Sequence, residues 1–254
     1  MRLSWALTDS VTLIGRNLRH LPRNIDSLLM AVILPVMLML LFVYVFGGAI
    51  NTGTEYVNYV VPGIILLCAG FGASMTAVSV ANDMLNGIID RFRSMPILSS
   101  AVLTGHVVAS LVRNALSTAL VIGVAFLAGF RPTATWLEWL AAVAVLALFV
   151  SAISWVSVCL GLIAKSQDAA SGFTFAFAFL PYVSSAFVPT DTMPVVLHAF
   201  AENQPITPVI ETLRGLLLGT PIGNSAWLAI AWFGGILVAS YVLAAYLFKR
   251  RTTR

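Results

Sequence analysis

The sequence predicts an all-α integral membrane protein. It has six transmembrane helices, an amino-terminal amphipathic helix in the membrane interface, and short external re-entrant helices before the last span. Three observations predict it. Of 254 residues, 59% are hydrophobic and only 9% are charged, whereas a soluble domain is about 45–50% apolar and about 25% charged. Six largely apolar segments are long enough to cross a hydrocarbon core about 30 Å thick at about 1.5 Å of rise per residue. Lys and Arg also cluster on one side of these segments, which fixes an orientation.

Residues 3–21 carry Leu3, Leu7, Val11, Ile14, Leu18 and Leu21 on a single helical stripe, with Arg16 and Arg19 on other faces and Arg23 just beyond Pro22. An apolar stripe on a basic helix suits the membrane interface, so residues 1–24 form a cytoplasmic interfacial helix. The six-span region occupies residues 25–250. The first span, about 27–46, contains Pro35, which membrane helices tolerate when neighbours satisfy the freed carbonyl. The second covers about 59–80. The third, about 101–130, places His106, Ser110, Arg113 and Ser117 at spacings that share one face. A charged side chain at membrane depth is costly, so it faces protein or water. Arg113 is read equally as a structural residue or, with His106, as part of a transport path.

The fourth span, about 140–163, repeats Ser151, Ser154 and Ser157 every three residues, which suits close helix packing. The fifth, about 169–188, carries many aromatic rings, of which Phe173 and Phe177 are candidates to line a ligand surface. Residues 189–224 are too broken by proline to span. They read as short helices dipping in from outside, with Glu211 and Arg214 able to pair at i, i+3. The sixth span, about 226–248, ends at Lys249-Arg250-Arg251, and 251–254 form a cytoplasmic tail. With the amino terminus inside, eleven Lys and Arg lie in inner segments and two, Arg131 and Arg214, in outer ones. Both termini are therefore cytoplasmic.

Between the second and third spans lies residues 83–97, a cytoplasmic loop holding four of the 24 charged side chains. Ile88 or Ile89, Phe92 and Met95 make a short apolar face, while Asp90, Arg91, Arg93 and Ser94 project elsewhere and Pro96 closes the turn. Such a helix can dock in a groove of another protein; a solvated loop is the alternative. Catalysis is not expected. Neither lysine follows a glycine, so there is no phosphate-binding Gly-Lys pair. His20, His106 and His198 lack metal-ligand spacing, so no metal or cofactor is expected on this chain. Cys68 and Cys159 sit in apolar runs as small core residues.

Three patterns now carry a resemblance. They are Arg16-Asn17-Leu18 through Arg23 with the span ending Tyr44-Val45-Phe46-Gly47-Gly48; Asn86-Gly87-Ile88-Ile89-Asp90-Arg91 with Pro96; and Asn203-Gln204-Pro205-Ile206-Thr207-Pro208 with Glu211-Thr212-Leu213-Arg214-Gly215. Together they resemble the permease subunit of type-2 ABC exporters, the ABC-2 membrane family, in the branch of daunorubicin/doxorubicin-resistance and nodulation-factor export permeases. The resemblance implies a permease dimer in a prokaryotic cell membrane, two separate cytoplasmic ATPase subunits binding ATP and Mg, and a coupling loop after the second span. Carried over, Asn86, Gly87, Asp90, Arg91, Phe92, Arg93 and Pro96 are coupling residues, and the interfacial helix also touches the ATPase. Where many relatives carry Glu before the loop glycine, this chain has Asn86. The expected substrate is a hydrophobic or amphipathic drug or lipid. A polysaccharide or glycolipid exporter permease, a stand-alone secondary transporter and a membrane scaffold are the alternatives.

Overall fold

The computed structural model describes residues 25–50, 52–87 and 99–252, except for the side chains of 25–31, 99–102, 173–178 and 251–252. Arg16, Arg19, Arg23, Asp90, Arg91, Phe92, Arg93 and Pro96 lie outside the described residues. Among the described residues every regular element is a helix.

Helix α1, Ile25–Leu40, continues into a π-helical turn, Leu41–Phe46. Helix α2, Tyr56–Leu85, is the axis of the molecule. It packs on α4 (Trp136–Ile163), α3 (Ser99–Leu127), α5 (Gln167–Phe179) and α1. Its residues Val60 to Ala69 are buried almost all round, which is what a helix with neighbours on every side requires. Gly63 lies against the backbone of Ala186, and Gly161 of α4 against Ala77 and Val80. In a bilayer such small residues let backbones approach, because apolar side chains gain nothing by leaving lipid.

Helix α4 starts on a capping box. Thr135 accepts from the Glu138 backbone, and the Glu138 carboxylate accepts from the Thr135 N–H at 2.6 Å. The last helix, α8 (Ser225–Thr252), packs on α4 along one face and leaves Trp227, Trp232, Tyr241 and Tyr246 exposed. An exposed apolar face on a long apolar helix is a lipid face. Among the described residues, four helices are long and apolar enough to cross a membrane: α2, the Leu103–Leu127 part of α3, α4, and the Ser225–Arg250 part of α8.

The fifth apolar segment differs from its expected continuous span over 169–188. Helix α5 stops at Phe179 and gives way to a 3₁₀ turn, Leu180–Val183. Pro181 explains the change, since it donates no N–H to an α-helix and clashes with the preceding turn. Ser184 then folds its hydroxyl back to the Pro181 carbonyl at 2.5 Å. The proline-rich region after it forms α6, Val195–Asn203, and α7, Ile206–Leu218. The two ends of α7 sit at different heights. Pro205 and Ile206 line the same cavity as Gly70, which is at the middle of α2. The Leu217 carbonyl accepts from the Thr133 N–H in the loop between α3 and α4.

Candidate functional site

Polar groups inside so apolar a molecule fall at three heights. The first is the end of α2 that leads into residues 88–98. There Asp83 Oδ2 lies 3.2 Å from His106 Nε2 of α3, both largely shielded. The Asn86 N–H donates to the Asn82 carbonyl and its side-chain amide to Asn82 Oδ1, both at 3.0 Å. Gly87 then leaves the helix at φ 65°, the left-handed conformation that glycine adopts without steric penalty at a helix end. The two helices flanking the central loop are thus joined by an Asp–His pair about one turn from where it begins.

The second height is the middle of the bundle. Ser154 of α4 donates to the Ser110 hydroxyl of α3 at 2.9 Å, and the Asn114 amide nitrogen donates to the Ser110 carbonyl at 2.9 Å. The oxygen of Asn114 is buried without a hydrogen-bond partner among the described residues. It sits so close to Gly72 of α2 that an added Cβ would lie 2.2 Å away. Arg113, one residue earlier, is partly buried, and no described residue forms an ion pair or hydrogen bond with it. The face shared by His106, Ser110, Arg113 and Ser117 is therefore divided: His106 serves the loop end, Ser110 the α4 contact, and Arg113 neither.

Two apolar cavities flank this level. One, of about 450 Å³, is lined by Val112, Asn114 and Thr118 of α3 and Trp139, Leu146 and Val150 of α4. The other, of about 230 Å³, lies between Phe71, Phe149, Phe233, Pro181, Pro205 and Ile206. Phe173 and Phe177 lie on α5, and their side chains are among those not described.

The third height is the opposite end. Arg214 on α7 is held from four directions. Its Nη1 donates to Glu211 Oε1 at 2.6 Å, and its Nη2 donates to the carbonyls of Ser185 at 2.8 Å and Tyr59 at 3.3 Å. Its guanidinium carbon also stands 3.9 Å over the Tyr59 ring. Nearby, the Arg131 N–H donates to Asn58 Oδ1 at 3.0 Å and Tyr56 donates to the Phe187 carbonyl at 2.8 Å. Phe187 stacks between Phe42 and Tyr182, with ring centroids 4.4 and 5.3 Å away. Among the described residues no group of three or more His, Cys, Asp or Glu is placed to hold a metal ion.

The chain that holds this arrangement is matched over residues 8–218 by the family model of the ABC-2 type transporter. The chain belongs to the ABC-2 type transporter family. It is 27% identical over 235 residues to the daunorubicin resistance ABC transporter permease protein of Streptomyces coeruleorubidus, covering 92% of this chain and 82% of that one. It is 23% identical over 247 residues to a protein of Mycobacterium tuberculosis named "Probable doxorubicin resistance ABC transporter permease protein", covering 94% and 87%. The ABC-2 chain is thus similar along nearly its whole length to proteins named as permeases.

Sequence reasoning missed two features of this ABC-2 chain. The Asp83–His106 pair had a usable signal, a carboxylate in the last turn of one helix and an imidazole early in the next, across one loop. The contact of Asn114 with Gly72 had none, because it depends on which faces α2 and α3 turn to each other.

Proposed function

We propose that this chain is the permease subunit of an ATP-driven exporter. Six spans, with α1 and α5 completing the four long helices, would carry a hydrophobic or amphipathic drug or lipid outward across a prokaryotic cell membrane. Drug resistance in the names of its relatives supports that substrate class. Helices α6 and α7 would dip in from outside and return, since α7 begins at the cavity that Gly70 of mid-α2 also lines and ends at the Leu217–Thr133 hydrogen bond. Both termini and residues 88–98 would be cytoplasmic, following the positive-inside bias.

The observation that carries the reading is the Asp83–His106 pair at the base of the central loop. Two long helices tied together where a loop enters and leaves them transmit a push on that loop as one body. Two cytoplasmic ATPase subunits would deliver the push by closing on ATP and Mg. They would engage Asp90, Arg91, Phe92 and Arg93, with Arg16, Arg19 and Arg23 of the interfacial helix beside them. A second copy of the permease would complete the route. This chain would itself hydrolyse nothing.

Co-purification in detergent with a cytoplasmic ABC ATPase tests the reading. The wild-type permease is expected to retain the ATPase, and Arg91→Glu/Arg93→Glu to lose it while eluting as a folded protein. Asp83→Ala is expected to retain the ATPase but lower any permease-dependent ATP hydrolysis at least threefold. Equal retention by wild type and the double variant would remove the loop from the contact.

A further inference from the structure

Arg113 is the only Asp, Glu, Lys or Arg within the six apolar segments 27–46, 59–80, 101–130, 140–163, 169–188 and 226–248. It is the central residue of α3, fourteen residues from either end of Ser99–Leu127. At about 1.5 Å per residue, each helix end is about 21 Å away. The half-thickness of the hydrocarbon is about 15 Å, and a snorkelling arginine extends only about half that distance. Its guanidinium therefore stays in the membrane. A charge kept there meets a partner or water, and the described residues of this chain supply no partner.

The surroundings narrow what that partner is. On α3, Val112, Leu116 and Leu120 leave 37%, 51% and 58% of their surface exposed, so Arg113 borders an apolar surface open to the side of the bundle. A cationic head beside Arg113 would be repelled, and no Asp or Glu in any apolar segment would offset that repulsion. An anionic head would be attracted, and the planar guanidinium fits the two oxygens of a phosphate or carboxylate.

We propose that Arg113 holds the anionic head of an amphiphile, a molecule with a phosphate or carboxylate group and an apolar body lying along the exposed α3 surface of Leu116 and Leu120. The inference rests on the transport reading above and narrows its substrate class to anionic amphiphiles. A small inorganic anion alone would leave the exposed apolar surface of Leu116 and Leu120 unused.

Competition binding tests this on the purified full-length permease in a neutral detergent, without the ATPase. The probes are dioleoyl phosphatidic acid and a dioleoyl lipid with a trimethylammonium head, counted on the protein by native mass spectrometry. The wild type is expected to prefer the phosphate lipid at least tenfold. Arg113→Gln is expected to reduce the preference below threefold, Arg113→Lys to keep most of it, and Arg250→Gln to leave it unchanged. Arg113→Leu, better suited to hydrocarbon, repeats the test should the glutamine variant fail to assemble. No preference in the wild type, an unchanged preference in both uncharged variants, or equal loss in Arg250→Gln would overturn the proposal. Displacement of the lipid by sodium phosphate alone would assign the site to a free anion and also overturn it. Because no ATPase is present, failure here is separate from failure of the co-purification test.

Discussion

Two arginines of this protein occupy opposite situations. Arg214 is almost wholly buried, yet a carboxylate, two carbonyls and an aromatic face surround it. Arg113 is less buried and sits at the middle of the longest dimension of α3, with no bonded partner among the described residues. The first is a structural arginine: it ties α7 to the start of α2 and to the turn after Val183. The second costs insertion free energy with no bonded partner among the described residues to offset it, which is why it is proposed to meet a ligand. Position in an apolar sequence does not tell a strut from a ligand contact. The partners do.

The largest effect is expected at Arg214. Arg214→Ala leaves Glu211 and the Ser185 carbonyl without their donor, so a loss of about 3–5 kcal/mol is expected. It reads as a large fall in the detergent unfolding midpoint, and Arg214→Lys recovers only part of it. Arg113→Leu should move the midpoint the other way, by up to about 2.5–3.5 kcal/mol on insertion scales. A marked destabilisation there would make both arginines structural and dissolve the contrast.

A smaller effect is expected at Gly72, where an alanine Cβ would meet the Asn114 oxygen at 2.2 Å. Gly72→Ala should cost about 1–3 kcal/mol as an overpacked contact. Asn114→Ala in the same chain should restore most of that, a coupling that a double-mutant cycle measures. Smallest is Thr135→Ala at the start of α4, about 1 kcal/mol for a lost amino-terminal cap. It is visible as faster amide exchange over the first turn.

How much of this was legible in the sequence follows from which physical signals are local. The helical class, the long apolar helices and the breakdown after residue 189 all come from composition and length, which need no knowledge of neighbours. The Glu211–Arg214 spacing was legible too, because i, i+3 contacts are fixed by one helix alone. The early end of α5 was also readable, since Pro181 stands in the sequence, but the apolar run on both sides of it masked the break. The carbonyls of Ser185 and Tyr59 around Arg214 could not be read, and the Asp83–His106 pair, though signalled by a carboxylate and an imidazole flanking one loop, was masked by the stripe that His106 shares with Arg113. Both depend on helix rotation and relative height, which apolar periodicity sets poorly when a helix such as α2 is buried on every side.

An outside ATPase is proposed to drive this permease. The most direct measurement is uptake of fluorescent amphiphiles with anionic, neutral and cationic heads into inside-out vesicles holding the permease, the ATPase, or both. The account predicts uptake of the anionic probe only when both proteins and ATP are present, and its loss when the permease carries Arg91→Glu/Arg93→Glu. Uptake by the permease alone, driven by an ion gradient without ATP, would contradict it.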